Sequence, residues 1–581
     1  MSSHYSRWEI MRRRPNTTFL ITFITFLILF AFFSLNLSRY ALSRFRYSDS
    51  VFDLDTRHNN NDDNNVFLHE YNHPKRRVSS IHFKLSISTV SVLLPDWEIL
   101  LIVSPNTPLH YAYNYRCIFQ NGAFSPARFF GVLPFMNVTT FKCDLPESVR
   151  RRRIFSKPAL VTEASENEID DPSPAPELLR WNFLVYESFS TEDDVVLFAK
   201  GVNHRQGYDR SPSELRCVFT MGDGNTVTTA VTSSVQEVFR CPHPDHVLLF
   251  QESEKIGISL VIIAENLVVP SVASYILRPR PNYAIKAQAQ PKYFLCACTM
   301  VYNVGKFLRE WVMYHSKVGV ENFILYDNNS DDNLETVVNE LHEEGYNITT
   351  LLWIWPKTQE AGFSHSILHS KSNGLCSWIM YVDVDEFVFS PSWKSQNEFP
   401  SLKSMLLHQQ MSNVGHIGQV SMQCNEFGPS GQRKNPMEGV TQGYTCRRRV
   451  EQRHKSIVLV DAVDPGLRNV IHHFEVNEKQ GYRSKQLSME NGVVNHYKYQ
   501  AWDEFKNKFR RRVSAYVVDW RQNVNLKSKD RTPGLGFQPI EPKDWVHKFC
   551  EVRDQRLKSL TRAWFSIKLR HNETRMAWQK S

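Results

Sequence analysis

Asp383 and Asp385 stand one residue apart in an otherwise apolar stretch, WIMYVDVDEFVF, at positions 378–389. In an extended segment alternate side chains share a face, so both carboxylates should point the same way. Oxygen ligands held in this manner suit a hard divalent cation, Mg²⁺ or Mn²⁺, which commonly bridges to the phosphates of a substrate. The same spacing is common on exposed turns, but the apolar flanks favour a buried metal site. Glu386 is either a structural partner of that site or a residue without an assigned role.

The segments around this pair alternate between strand and helix patterns. YFLCACTMVYN, NFILYDNNS and ITTLLWIWP are apolar runs typical of strands. GKFLREWVMYHSKVGV carries Phe307, Trp311, Tyr314 and Val318 at the spacing of one helical face, and NLETVVNELHEEG and SILHSKSNGLCSW also indicate helices. This alternation predicts an α/β domain with a mixed, mainly parallel sheet and crossover helices.

Ligands of open α/β sheets bind where the strands end at their carboxyl edge. Three predicted strand ends are polar here: Tyr302 with Asn303, the run 327–330 that begins with Asp327, and the run 383–386. We expect these three ends to form one rim.

The region 96–285 consists of short β-branched and aromatic runs broken by Pro, Gly and Asn, which is typical of β structure. A strand-Cys, loop, strand-Cys unit occurs in it twice. The simplest pairing joins Cys117 to Cys143 and Cys217 to Cys241. The pattern predicts one β-sandwich domain or two small β domains, serving either to bind glycans or as a spacer.

The N-terminal segment predicts a membrane anchor. Residues 19–37 are uncharged and almost continuously apolar, which is long enough for one transmembrane helix. A cleaved signal peptide is the alternative, but the run is long for one and no small-residue cleavage site follows it. We expect residues 1–18 in the cytoplasm, a flexible stem at 38–95 and the remainder in the secretory lumen. Glycosylation sequons at Asn137, Asn328, Asn347 and Asn572 agree with that location.

Composition excludes some classes of protein. The chain has 581 residues, 42% of them hydrophobic, so it can fill more than one core. The net charge of +9 is modest and scattered, which argues against nucleic acid as a partner. Ten cysteines without paired C-x-x-C spacing favour disulfides over a zinc site.

Three segments, CTMVYNVGKFLREWVMYHSKVGVENFILYDNNSDD, WIMYVDVDEFVF and NHYKYQAWDEFKNKFRRR, occur in this order. They resemble the plant β-1,4-galactan synthases of glycosyltransferase family ninety-two over about residues 291–550, leaving 551–581 as a C-terminal helical tail. The resemblance implies a GT-A domain in the Golgi that uses UDP-galactose, a β-1,4-galactan acceptor and a divalent metal, most simply Mn²⁺ with Mg²⁺ as the alternative. It assigns the metal to Asp383, Asp385 and His496, and the uridine pocket to Tyr302, Asn303 and Asp327.

Transfer from an α-linked nucleotide sugar to a β-linked product inverts the anomeric carbon, so a carboxylate must take the proton from the acceptor hydroxyl. Glu426, in QCNEFGPSG, is the predicted base, with Asp461 and Asp464 as rivals. Lys455, and second to it His473, are predicted to neutralise the departing diphosphate.

The sequence is also compatible with other interpretations. Trp353, Trp355 and Trp502 either stack on acceptor sugars or pack in the core. A membrane-anchored glycan-binding protein with an inactive GT-A domain is the alternative to an enzyme, and a transferase for another sugar or acceptor is a third. A homodimer is also an expectation.

Overall fold

The structure, a computed structural model, describes residues 87–579 with internal gaps, the longest of which are 163–175, 245–255, 276–289, 394–400 and 515–540. The predicted cytoplasmic tail, the predicted anchor at 19–37, most of the predicted stem and the sequon at Asn572 lie outside the described residues. Among the helices that are described, none is both long and apolar enough to cross a bilayer.

The first β region forms what we call the N-terminal sheet. In the described part of the chain its strand order is β6-β3-β4-β5-β2-β1-β7, antiparallel except for the pair β1 and β7. A disulfide joins Cys117 of β3 to Cys143 of β5 with a Cα–Cα distance of 6.5 Å. Strands separated by one other strand lie roughly 9.6 Å apart in a flat sheet, so this sheet curls around its own core. Its strands are β1 (Thr89–Leu93), β2 (Glu98–Val103), β3 (Tyr115–Ile118), β4 (Phe124–Leu133), β5 (Val138–Asp144), β6 (Ala159–Thr162) and β7 (Leu179–Arg180); a short helix, α1 (Glu147–Arg150), follows β5.

The second β region is a sandwich of two sheets, with orders β12-β13-β9-β8 and β11-β10-β14-β15 and with β16 paired to β14. A disulfide between Cys217 of β10 and Cys241 of β13 links the two sheets across a shared apolar core. The sequence left open one sandwich or two β domains; the chain builds one curled sheet and one sandwich. The sandwich strands are β8 (Leu184–Ser190), β9 (Asp194–Lys200), β10 (Leu215–Thr220), β11 (Thr226–Ala230), β12 (Ser233–Val235), β13 (Val238–Pro242), β14 (Ile256–Ile262), β15 (Leu267–Val268) and β16 (Ser274–Tyr275).

The third region holds a mixed central sheet with the described order β19-β18-β17-β20-β24-β22-β26-β21 and with β25 beside β22. The neighbours β17 to β20 are parallel, as the alternating pattern predicted, whereas β24 runs antiparallel to both of its neighbours. The strands are β17 (Tyr293–Val301), β18 (Asn322–Asp327), β19 (Ile348–Leu352), β20 (Cys376–Tyr381), β21 (Glu386–Phe389), β22 (His416–Glu426), β23 (Cys446–Arg447), β24 (Gln452–Leu459), β25 (Tyr482–Gln486) and β26 (Val493–His496). Four strands form two small pairs outside this sheet: β23 with β27 (Val552–Arg553), and β28 (Ser566–Lys568) with β29 (Thr574–Met576).

The helices that cover the central sheet follow their sequence periodicity with one exception. Phe307, Trp311 and Tyr314 are buried along one side of α2, as their spacing predicted. By contrast α4 begins earlier than its pattern indicated and buries polar residues such as Ser366 as well as Phe363, because it is enclosed on several sides. The helices are α2 (Gly305–Lys317), α3 (Leu334–Glu343), α4 (Gln359–Ser372), α5 (Leu402–Gln410), α6 (Val440–Gly443), α7 (Trp502–Ser514) and α8 (Arg556–Phe565).

One apolar core joins the three regions. It contains Leu133 of the N-terminal sheet, Phe198 of the sandwich, Phe363 of α4 and Ile379 of the central sheet. The buried polar groups of α4 find partners within it, since the hydroxyls of Ser366 and Tyr381 lie 2.7 Å apart. The β regions are thus packed directly onto the central sheet rather than joined to it by a linker alone.

Candidate functional site

The two spaced aspartates lie in a tight turn between β20 and β21. The backbone N–H of Glu386 donates to the carbonyl of Asp383 at 2.9 Å, which closes the turn. The extended geometry expected for this segment is therefore wrong. Glu386 also has a defined part, because its fully buried carboxylate accepts from the backbone N–H of Asp383 at 2.8 Å and fixes the turn from beneath.

Asp383 is held in a network of cationic groups. Lys455 Nζ lies 3.1 Å from Asp383 Oδ2 and 2.9 Å from Glu386 Oε1. His472 Nε2 is 3.4 Å from the same oxygen of Asp383. Burial alone would raise the pKa of Asp383, but Lys455 and the two nearby histidines outweigh it and hold the pKa well below its usual range. The carboxylate is therefore ionised at neutral pH.

Asp385 is compensated from a different element. Lys508 of α7 forms an ion pair with Asp385 Oδ2, and His496 Nε2 lies 3.4 Å from that oxygen. The other ring nitrogen of His496, Nδ1, is 3.4 Å from Glu386 Oε1. Burial opposes ionisation here as well, yet Lys508 and His496 keep the pKa of Asp385 below its ordinary value. The structure thus brings Asp383, Asp385, His496 and Lys455 together.

Both aspartates line a cavity of about 830 Å³ at the carboxyl edge of the parallel strands. Tyr302 and Asn303, which follow β17, line the same cavity, together with Asn328 after β18. The predicted rim is thereby confirmed for these strand ends. A volume of this size is in the range of sites that bind a cofactor or a drug-sized ligand.

The loops of the rim are cross-linked to one another. Asn303 adopts a left-handed backbone, with φ of 51°, and its side chain exchanges hydrogen bonds with Asp331. Asp327 accepts from the backbone N–H and the hydroxyl of Ser330 at 2.9 and 2.7 Å. Burial raises the pKa of Asp327, although the Ser330 hydrogen bonds offset part of the change. Asp327 does not line the cavity itself; it shapes the loop that does.

Glu426 lies at the end of β22, beside His496 in the sheet register, but it is not among the described residues that line the cavity. Lys498 Nζ contacts its carboxylate at 2.5 Å and Arg448 at 3.2 Å. Burial would raise the pKa of Glu426, but these cations, Lys498 first, lower it. The carboxylate is therefore ionised, as a general base must be. The same two cations also lower its affinity for a proton.

Several other predicted residues lie away from the cavity. His473 contacts Ser456 and Gln419, at 2.9 and 3.2 Å from its two ring nitrogens. Asp461 lies just after the last residue of β24, and its side chain is mostly exposed. Asp464 accepts from the backbone N–H of Gly466.

The three tryptophans proposed for acceptor stacking are buried side chains. Trp353 is 1% exposed and donates to Thr358 at 2.8 Å, Trp355 is 2% exposed, and Trp502 is 9% exposed. Their burial favours the core-packing alternative.

The described sequons differ in their surroundings. Asn137 and Asn347 are exposed. Asn328 lines the cavity, and the hydroxyl of Ser330, the third residue of its sequon, donates to Asp327. A glycan on Asn328 would occupy part of the cavity, so of the three described sequons this one is in conflict with a ligand there.

The residues around the turn have the donor types, but not the arrangement, of a site for a divalent cation. Among the residues that the structure describes, no group of three or more His, Cys, Asp or Glu side chains is arranged to hold a metal as it stands. The donor types nevertheless suit Mn²⁺ or Mg²⁺, since two ionised carboxylates and an imidazole meet at one turn. The ammonium of Lys508 contacts Asp385 where a cation would bind, so binding requires that side chain to move aside. The residue types at the turn therefore fit the group, although their present arrangement does not hold it.

Two residues that contact the aspartates, Lys508 and His472, were not predicted from the sequence. Lys508 lies in NHYKYQAWDEFKNKFRRR, a segment that pointed to the family without singling out this lysine. His472 is the neighbour of the predicted His473 and is 3% exposed, with a left-handed φ of 69°. Adjacent residues of an irregular loop can point in opposite directions, and nothing in the sequence says which histidine faces the aspartates.

Comparison with known proteins finds a matching family model and relatives in plants. A family model for glycosyltransferase family 92 matches residues 292–528. A glycosyltransferase family 92 protein of Ricinus communis is 38% identical over 82% of this chain and 82% of its own length. One from Oryza sativa subsp. japonica is 39% identical over 67% of each chain.

Solved structures are more distant. A glucosyl-3-phosphoglycerate synthase from Mycobacterium tuberculosis, in complex with Mn²⁺ and UDP, matches 42% of this chain and 84% of its own at 13% identity. Its TM-score is 0.19, which is too low to carry an argument. The extent and identity of the match to the plant proteins are sufficient by themselves: the chain belongs to glycosyltransferase family 92 and is a glycosyltransferase.

Proposed function

We propose that the protein transfers galactose from UDP-galactose to the end of a β-1,4-galactan chain, a side chain of pectin, with inversion at the anomeric carbon. The observation that carries the proposal is the cavity at the carboxyl edge of the central sheet, which two ionised aspartates enter from a single turn. The choice of galactose and galactan rests on the sequence resemblance described above. The GT-A classification of the central domain belongs to the same proposal.

The proposed metal site consists of Asp383, Asp385 and His496, with Mn²⁺ as the cation. When bound, the cation would neutralise the charge that develops on the departing diphosphate. Lys455 remains beside Asp383 and adds a second positive charge to the same region. Lys508, once displaced from Asp385, still lines the cavity and can donate to phosphate oxygens.

The loops after β17 and β18 hold the nucleoside in this proposal, with Tyr302 and Asn303 in direct contact and Asp327 acting through its loop. Glu426 is the proposed base. It would accept the proton of the acceptor hydroxyl. It lies beside His496, in the half of the strand order away from β17 and β18. His473 is the weaker of the two predicted diphosphate contacts, since its ring nitrogens already contact Ser456 and Gln419.

The cellular setting is part of the proposal. We infer a Golgi protein anchored by one helix at 19–37, with its catalytic region in the lumen and with two copies forming a homodimer. The disulfides support an oxidising compartment, since four join described cysteines.

Galactose transfer to β-1,4-galacto-oligosaccharides, measured by mass spectrometry with and without Mn²⁺, tests the proposal. We expect extension of the oligosaccharide only with UDP-galactose and only with the metal. A panel of nucleotide sugars separates galactose from other donors. Failure of every donor with a folded, UDP-binding chain would favour the alternative, a membrane-anchored glycan-binding protein with an inactive transferase domain.

A further inference from the structure

The cavity has a wall that does not come from the central sheet. Leu94, Pro95, Glu98, Phe130 and Lys142, all in or beside strands of the N-terminal sheet, line the same 830 Å³ as Asp383 and Asp385. Leu94 belongs to the apolar core that joins the N-terminal sheet to the central sheet. The wall is therefore a fixed part of the fold rather than a loose flap.

Phe130 reaches the cavity because β4 contains a bulge. Phe129 pairs with Phe141 and Gly131 pairs with Thr140, so Phe130 is the inserted residue. The hydroxyl of Thr140 donates to the carbonyl of Gly131 at 2.8 Å, and Gly131 has a φ of 128° that favours glycine. Bulges of this kind re-aim a side chain and are frequent next to active sites. Phe129, its neighbour, is 54% exposed, whereas Phe130 packs against the shared core.

The position of Phe130 along the rim is set by its neighbour Gly131. A Cβ atom on Gly131 would come within 2.9 Å of Leu352, so β4 lies directly against the end of β19. Leu352 is paired with Asp327 at the end of β18, and the next residue, Asn328, lines the cavity. Phe130 therefore lies at the β18–β19 end of the rim.

The aspartate turn lies at the other end of this stretch of rim, after β20. From β20 to β19 there are three strand spacings, or about 14 Å. A nucleoside diphosphate whose phosphates lie at Asp383 and Asp385 and whose ribose follows the ends of β17 and β18 brings its base against Phe130.

We propose that Phe130 and the ion pair of Glu98 with Lys142 form the nucleobase wall of the donor site, supplied by the N-terminal sheet. This rests on the proposed function, in which the base is uracil. Lys142 Nζ lies 2.6 Å from Glu98 Oε2 and 4.5 Å from the centroid of the Phe130 ring. The pair offers one hydrogen-bond acceptor next to one donor, which complements the N–H and carbonyl groups on the edge of uracil. Since Lys142 covers one face of the ring, the base would stack on the opposite face.

The test is UDP binding by titration calorimetry, with Mn²⁺ present, to the full chain and to three variants. Phe130→Ala should weaken UDP binding about tenfold, since stacking on one aromatic ring is worth about that much. Lys142→Gln should weaken it about threefold. Phe124→Ala is the matched control, because Phe124 lies on the same strand, is 64% exposed and does not line the cavity; it should bind UDP as the unaltered chain does.

The outcomes separate this inference from the proposed function. If the unaltered chain binds UDP and transfers galactose but a folded Phe130→Ala and Lys142→Gln bind UDP equally well, the nucleobase wall is wrong and the proposed function stands. The same holds if Phe130→Ala raises the KM for β-1,4-galactopentaose and leaves UDP binding unchanged, because the wall then contacts the acceptor. If the unaltered chain binds no UDP, the proposed function itself fails. A thermal unfolding midpoint for each variant shows whether it is folded.

Discussion

Two acidic sites of the central domain have their negative charge compensated in different ways. At the aspartate turn, the carboxylates of Asp383 and Asp385 are compensated by Lys455 and Lys508. On α2, the buried carboxylate of Glu310 has no such cation among the described residues; it accepts instead from the backbone N–H of Val440 at 2.7 Å and from the backbone N–H and hydroxyl of Thr441.

The two arrangements have opposite electrostatic results. The cations keep the pKa of both aspartates below the usual range. Burial raises the pKa of Glu310 to about 7, because neutral donors from Thr441 and Val440 offset only part of the cost of burying charge. The first site keeps full negative charge and opens on a cavity, which suits a ligand-binding role. The second site clamps the start of α6 to α2, which suits a structural role.

The largest effect is expected at the turn. Asp385→Asn should lower kcat about 10³-fold, because it removes a carboxylate on which cation binding and diphosphate neutralisation depend. The thermal unfolding midpoint should stay the same or fall slightly, since the lowered pKa of Asp385 means that its ionised carboxylate, paired with Lys508, stabilises the fold. Galactosyl transfer assays and thermal melts measure both quantities. Asp461→Asn, at an exposed aspartate just after β24, is the control. Near-normal turnover of Asp385→Asn would contradict the metal assignment.

Like the two aspartates of the turn, Glu426 is paired with cations, but unlike them it does not line the cavity. It therefore tests whether an ionised carboxylate outside the cavity lining can be catalytic. The proposed base role predicts that Glu426→Gln lowers kcat by about 10²-fold, the low end for general bases, because Lys498 and Arg448 depress its pKa. Single-turnover rates at saturating donor and acceptor measure this.

A fall in the unfolding midpoint of Glu426→Gln with kcat unchanged would mean that Glu426 serves only to hold Lys498 and Arg448. Asp464→Asn, from the rival pair, is the matched variant for that comparison. Loss of turnover in Asp464→Asn but not in Glu426→Gln would transfer the base role.

The strands and the rim were predictable because their signals are local. Apolar runs at 293–301 and 322–327 and the periodic spacing of α2 determine elements that need no distant partner to be recognised. Polar residues at the ends of such strands then meet at one edge by the geometry of parallel sheets, which placed Tyr302 and Asp385 in one cavity.

The contacts made between distant segments were not predictable in the same way. Phe130 reaches the cavity through a bulge and through the packing of one sheet on another, and Lys508 lies 123 residues from Asp385. The start of α4 was missed because a helix enclosed on several sides lacks an amphipathic pattern. The turn at Asp383 replaced an extended strand because Glu386 is hydrogen-bonded beneath it, a contact that alternation of side chains does not reveal.

The Glu310 side of the comparison can be tested by pH. The pKa of Glu310 is about 7 in the folded chain against an ordinary value of 4.5, so the folded chain binds this proton more tightly. Its contribution to stability is therefore complete below pH of about 4.5 and is lost as pH rises through 7, by on the order of 2 kcal/mol. Glu310→Gln cannot titrate. We expect the unfolding midpoint of the unaltered chain, minus that of this variant, to fall between pH 4.5 and about 7 and to level off above it; a constant difference would mean that the pKa is not raised.

The smallest effect is expected at Lys508, whose ion pair with Asp385 competes with the binding of a metal at the turn. Its side chain is 30% exposed, and such pairs contribute less than about 1 kcal/mol. Lys508→Met removes a competitor of the cation, so the Mn²⁺ concentration for half-maximal activity should fall about threefold, measured at saturating UDP-galactose. Lys506→Met, two residues away on the same helix and paired with Asp503 rather than Asp385, should leave it unchanged. A rise in the Mn²⁺ requirement of Lys508→Met would mean that this lysine assists the cation instead of competing with it. Asp385 and Lys508 would then form a fixed ion pair, like that of Glu426 with Lys498, rather than part of an open metal site.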